Sequence, residues 1–415
     1  MGLDLQSGRP WWLLDNPPLP ALPDLERDER ADVVVVGAGL TGALAAAALV
    51  EAGIDVVVLD RRQLACGSTG ASTALISYEP DCSMAQIAAR RGWEVARASY
   101  HAARDANRHL ADLIQRLGIA CSFEATSSVH LARTPRQAAQ LREEHRLRND
   151  AGLSCEYLPG RDLRRRFGLA GSAALFIAEA AQLDPVRLTA GLVNYVTAAG
   201  SRCYRAHVAR IESTPGGYAA VTRNGSRVTA RRVACATGYE TQLDLRQDDV
   251  ELVSTYVIAS REAPELPAWL RRTILWDMDR PYHYARCAGG RIMVGGADEP
   301  FVDEAARDAL MPAKTEVLRR YLSEILPGLH VEVASVWCGT FARTADSLPY
   351  IGEREDRPGA FFLLGYGGNG ITFGMLGGLY LRDVVTGRNP DGLSMYSFER
   401  RVRRGSPARF LRETP

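Results

Sequence analysis

The chain has 415 residues, 46% of them hydrophobic and 24% charged, with a net charge of +1. That balance is ordinary for a globular protein, too long for one simple core, and gives no electrostatic reason to expect a nucleic-acid or anionic-membrane partner. Eight cysteines, with no C-x-x-C pair and no zinc-site His/Cys spacing, predict reduced thiols and no metal centre. The opening residues mix Trp11, Trp12, Asp15 and prolines, unlike a secretory signal. The longest apolar stretch, residues 40–50, falls short of the ~20 residues that span a bilayer, so a cytoplasmic protein is expected.

In chain order, residues 1–29 read as an irregular arm, because Pro10, Pro17, Pro18, Pro20 and Pro23 forbid regular helix or central strand. Trp11 and Trp12 are expected to pin this arm to the body. Asp32 then leads into Val33, Val34, Val35 and Val36, a β-branched run suited to a strand buried on both faces. A glycine loop follows, then a small-residue helix over 43–52 stopped at Gly53, then a second buried strand over 54–59 ending at Asp60. This is a βαβ unit. Helices are predicted over 84–118, a strand over 127–132, a charged helix over 136–149, and an amphipathic helix over 188–198 with Pro185 at its start. Strands alternate from 202 to 237, with turns at Gly216 and Gly217 and at Asn224 and Gly225. A β-rich region over 252–296 and a helix over 313–325 come next. The chain closes with a strand over 361–364, a second glycine-rich turn, a helix, and a basic tail after Phe398 read as solvated or loose.

The chemistry starts at Gly37-x-Gly39-x-x-Gly42. The first glycine permits a tight turn, the second lets backbone approach a pyrophosphate, and the third lets helix pack on strand. Amides of Leu40 and Thr41 at the helix start then point at phosphate. Asp60, ending the next strand, is placed to accept from ribose hydroxyls, with Arg61 and Arg62 beside it. Three further segments favour FAD over NAD. Ser68, Thr69, Ser72 and Thr73 supply hydroxyls on a small-residue loop where a long cofactor would extend. Thr237 and Gly238 end a strand beside the adenosine half. Gly367, Gly368, Asn369, Gly370, Ile371 and Thr372 join a strand to a helix whose N-terminus can aim amides at the flavin's pyrimidine oxygen.

With these segments in this order, the sequence resembles the D-amino-acid oxidase/glycine oxidase (DAO) superfamily of FAD-dependent oxidoreductases, and within it the bacterial γ-glutamylputrescine oxidase-like branch. The likeness also rests on Gly339-Thr340-Phe341-Ala342, Thr344, Asp346 and the run from Leu348 to Gly352. It implies an α/β fold (α+β overall), with a Rossmann-like FAD-binding domain interleaved with a mixed β-sheet substrate domain. The expected division is an arm over 1–29; an FAD-binding domain over 30–90, 181–244 and 337–392; a substrate domain over 91–180 and 245–336; and a tail over 393–415. The resemblance further implies oxidation of a C–N bond and gives Val208 a backbone contact to adenine. The family's carboxylate-binding arginine aligns here with Phe341, with Arg343 two positions along, which argues against a simple α-amino acid substrate. The cysteine that holds flavin covalently in sarcosine-oxidase-like members aligns with Gly339, with Cys338 one residue off, so non-covalent FAD is expected.

Residues 281–286 alternate so that Tyr282, Tyr284 and Arg286 share one face, and together with Arg343 these are the expected substrate contacts; Tyr256 and Trp276 are weaker ones. His101, His109, His130 and His283 read as surface or core histidines. The expected reaction takes a small-molecule amine, transfers a hydride to flavin N5, and passes electrons to oxygen or another acceptor. An NAD(P)H-linked flavin reductase or monooxygenase and a non-catalytic flavoprotein subunit are the alternatives.

Overall fold

In the computed structural model, which describes residues 4–239, 250–263 and 265–402, two large sheets share the chain. The first runs Tyr350–Arg354, Arg357–Leu364, Arg227–Cys235, Glu29–Val36, Val56–Asp60, Arg202–Arg205, and continues from Arg227–Cys235 into the strands Gly217–Thr222 and Val208–Thr214. Its centre is parallel, Val33–Val36 pairing with Val56–Leu59 on one side and Arg232–Cys235 on the other. All four valines are buried, as a strand covered on both faces requires.

The second sheet has ten strands: Gln6–Gly8, Val333–Thr344, Val250–Ser260, Arg291–Pro300, His283–Ala288, Thr273–Asp277, Glu124–Ala132, Ala173–Gln182 and Leu75–Ile76 in order, with Glu156–Pro159 also on Ala173–Gln182. Its pairings are antiparallel except that of Thr273–Asp277 with Glu124–Ala132.

Several expectations change here. The arm is not irregular throughout: Gln6–Gly8 pairs with Val333–Thr344 ahead of the prolines, and Trp11–Asp15 is a short helix. Both tryptophans pin it: Trp12 is buried, with its indole N–H donating to the Ser72 carbonyl at 2.7 Å, and Trp11 packs on the same cluster under Arg291. Ala173–Gln182 had no assignment because its alanines favour helix locally; strand pairing on both edges decides. Val333–Thr344 lies in the ten-stranded sheet, so that sheet reaches past residue 337. The long helix Trp93–Leu117 packs into the same core as the parallel sheet and its helices. Nor is the start of the tail loose. Tyr396 is buried, Phe398 stacks on Tyr350, and Arg400 is buried against Asp346.

Helix Leu40–Glu51 carries alanine on nearly every face, and helix Gly370–Val385 crosses it closely. A methyl added to Gly378 would sit 3.1 Å from the Ala45 Cα, and one added to Gly374 would sit 3.1 Å from the Thr41 hydroxyl. The crossing sets both helix N-termini at one cavity between the sheets. No described helix is long and apolar enough to cross a membrane.

Candidate active site

One cavity of about 1000 Å³ runs from Gly37 and Asp60 to Tyr282 and Arg343. At its first end Gly37 has φ +108, and a Cβ there would lie 2.3 Å from the Ala236 carbonyl oxygen, so only glycine fits the turn. Gly39, Leu40 and Thr41 line the cavity. Gly42 does not: a Cβ on it would meet the Gly37 carbonyl at 1.8 Å, so its part is helix-on-strand packing. The Leu40 amide donates to the Thr69 hydroxyl at 3.0 Å, which ties the second loop to the first. Asp60 accepts from the Ala38 amide at 2.7 Å and the Arg62 amide at 2.8 Å, which fixes its carboxylate on the cavity wall. Arg61, Arg62, Ser68, Thr69, Ser72, Thr73, Val208, Thr237 and Gly238 line it too. The Thr237 hydroxyl is buried without a hydrogen-bond partner among the described residues.

Further along, Gly367, Gly368, Asn369, Gly370 and Ile371 line the cavity at the start of helix Gly370–Val385. Thr372 does not: it is buried, and its hydroxyl donates to Asn107 Oδ1 at 2.8 Å. Its position one turn into the helix points it back into the core.

On the substrate side Tyr282 and Tyr284 line the cavity with ring centroids 5.9 Å apart. Arg286, expected beside them, is a correction. It is buried, and its guanidinium donates to the carbonyls of Thr73 (2.8 Å), Ala74 (2.9 Å) and Leu183 (3.1 Å). Burial pulls its pKa down to about 10, and its charge braces the loop that carries Ser72 and Thr73. Arg343 does line the cavity, paired with buried Asp298, and its guanidinium folds back to 5.4 Å from the Phe341 ring centre. Burial pushes the Asp298 carboxyl up to about 6 despite that guanidinium.

Other cavity residues escaped the sequence reading. Glu79 and Glu144 hold Arg148 between them at 2.5 and 2.9 Å, all three buried. Trp276, a weaker candidate from the sequence, does line the cavity; His130, read as a surface or core histidine, stacks on it at 3.6 Å, and burial with Arg148 and Arg280 nearby drives its pKa well below the usual value. Asp81 accepts from the Gly368 amide at 2.7 Å and the Asn369 amide group at 3.0 Å. None of these follows a sequence period or a motif, so no local signal marks them. Tyr256 is core, its hydroxyl donating to the Arg307 carbonyl. His283 stacks on Tyr321 at 4.3 Å and lies 3.4 Å from Asp277. Asp277, Asp279 and His283 bring ligand-type atoms within 4.8 Å of one another, but Asp279 is already bonded to Arg133 and Gln137.

The family profile of FAD-dependent oxidoreductases (DAO) matches residues 32–384. The chain belongs to the DAO family. Among its relatives, γ-glutamylputrescine oxidoreductase of Escherichia coli is 25% identical over 88% of this chain and 85% of its own. Glycine oxidase of Geobacillus kaustophilus is 24% identical over 86% and 93%. The crystal structure of the latter enzyme superposes with a TM-score of 0.75 at 23% identity, covering 90% of this chain and 99% of that one, so the fold is the DAO fold.

The residues present fit FAD. A cavity of this length, a turn closed to any Cβ at Gly37, two helix N-termini opening on it and an unpartnered Thr237 hydroxyl are what a long, doubly phosphorylated cofactor needs. Cys338 does not line this cavity; its sulfur lies 3.7 Å from Asp308, and burial pushes its thiol up to about 12. Neighbouring Gly339 is the residue on the cavity side, so DAO-type, non-covalent FAD is the cofactor.

Proposed function

We propose that this DAO-family oxidoreductase oxidises the C–N bond of a small amine that carries no free α-carboxylate, releasing an imine. The observation that carries the reading is the pairing of Arg343, the arginine of the strand Val333–Thr344 that lines the cavity, with buried Asp298. A neutralised guanidinium has little to offer a substrate carboxylate, and Phe341 has nothing. FAD held by the loops around Gly37, Asp60 and Gly367 would supply the hydride acceptor, with oxygen or another acceptor reoxidising it. The chain's own part is positioning and exclusion of water. Tyr282 and Tyr284 give the amine an aromatic wall, and Trp276 stacked on neutral His130 extends that wall. Arg343 borders the same space.

Anaerobic bleaching of the flavin band by a panel of amines and of D- and L-amino acids tests this. At least one amine should bleach the holoenzyme rapidly while glycine and simple α-amino acids do so slowly. Bleaching by NADPH but by no amine would mean a reductase instead.

A further inference from the structure

An amine in water at neutral pH is protonated (a lysine-type amine has a pKa of about 10.4), and an ammonium nitrogen has no lone pair with which to expel a hydride from its α-carbon. If the site oxidises an amine, something must take that proton. The cavity's acids on this side are mostly committed elsewhere. Glu79 and Glu144 are bound to Arg148, and Glu143 is bound to exposed Arg146. Asp277 caps its own turn through the amides of Asp279 and His283. Asp298 is held by Arg343 from behind the wall.

Asp81 differs. It lines the cavity and, among the described residues, forms no ion pair; its partners are the neutral N–H groups of Gly368 and Asn369. Those two donors fix the carboxylate on the glycine-rich loop, where a Cβ added to Gly367 would lie 2.1 Å from Asp81 Oδ2. Glycine at 367 suits the positive φ of +59 there and leaves the carboxylate room.

We propose that Asp81 is the amine-binding base of this site. The inference rests on the amine-oxidation reading above. The ammonium of the incoming substrate pairs with the Asp81 carboxylate; one N–H bond breaks, the proton moves to a carboxylate oxygen, and the neutral amine keeps the electron pair. Asp81 is open to the cavity, where desolvation raises its pKa against the Gly368 amide, Arg343 and Arg280. The titratable and charged groups around it come from each packed element: Arg343 on Val333–Thr344, Asp298 on Arg291–Pro300, Arg280 and Tyr282 ahead of His283–Ala288, Tyr239 beyond Arg227–Cys235, and adjacent Cys82.

The test compares wild type, Asp81→Asn and Asp81→Glu holoenzymes by anaerobic bleaching with the most effective amine of the panel, at saturation, from pH 5 to 10. Asp81→Asn should bleach about 100-fold more slowly at pH 7. Its residual rate should climb about tenfold per pH unit towards the pKa of the free amine, and Asp81→Glu should recover part of the loss. The second measurement is binding of tert-butylamine, which has no α C–H bond to lose, read from perturbation of the flavin band. Wild-type affinity should fall as pH is lowered through the Asp81 ionisation. In Asp81→Asn that fall should shrink to the part that the Asp298–Arg343 pair contributes, and the affinity at pH 7 should be about tenfold weaker. An Asn variant with wild-type affinity and pH profile overturns the assignment of Asp81 alone; a wild type that no amine bleaches overturns the amine reading with it.

Discussion

Arg343 and Asp298 illustrate how a side chain can be legible while its meaning is not. The sequence identified Arg343 as a neighbour of the lost anchor position, and alternation along the strand puts it on the same face as Phe341. It could not reveal Asp298, which comes from a different strand, nor that Arg286 would be spent on three carbonyls. Charge partners contributed by distant strands carry no local pattern. The pair has a pH consequence. With its carboxyl raised to about 6, Asp298 becomes neutral as pH falls through that value, leaving the Arg343 cation unopposed. Benzoate, followed through the flavin spectrum, should bind several-fold more tightly at pH 5 than at pH 7. Asp298→Asn should bind it tightly at both; a variant that keeps the wild-type pH dependence would show that the ionisation belongs to another group.

The helices and strands nearest the cofactor were the most readable, because buried β-branched runs and glycine punctuation are local signals. The valine strand, the glycine loop and the closing helix all lie where those signals put them. Strands such as Ala173–Gln182 depend on partners far along the chain, and the short Gln6–Gly8 has almost no signal of its own. What a local reading cannot give is how two helices meet. The crossing of Gly370–Val385 on Leu40–Glu51 depends on the absence of a side chain at Gly374 and Gly378. Gly378→Val should therefore cost about 1–3 kcal/mol, lower Tm, and loosen FAD enough for it to be lost on gel filtration. Gly216→Ala, where an added methyl meets nothing within 4 Å, is the control and should do neither. Full FAD retention by Gly378→Val would mean that the crossing tolerates more separation than its contacts suggest.

Across the molecule, the expected two-part architecture has its counterpart in the two sheets, but the contacts that tie remote segments together were invisible in sequence. Asp346 is the clearest case. It follows the strand Val333–Thr344, yet it is gripped by Arg91 from the helix Met84–Arg91 and by Arg400 from the tail, all three buried. Burial pushes its carboxyl up, but the two guanidiniums outweigh that and hold it below its ordinary value of 3.8. A depressed acid contributes stability that is present above its unfolded pKa and lost as pH falls through the folded one. Asp346→Asn, leaving two buried cations unopposed, should cost about 3–5 kcal/mol and should lack part of the wild-type decline in Tm below about pH 4. Parallel acid slopes for the two proteins would remove Asp346 from that decline. The crossing of the two helices also has a meaning for the protein as a whole. Because their starting turns are fixed to each other, the loops that carry Gly39 and Gly368 behave as the jaws of one calliper, set to a single opening. A flavin mononucleotide keeps the ring and one phosphate but lacks the AMP half, so it would leave the Asp60 end of that opening unfilled and should be held more weakly than FAD.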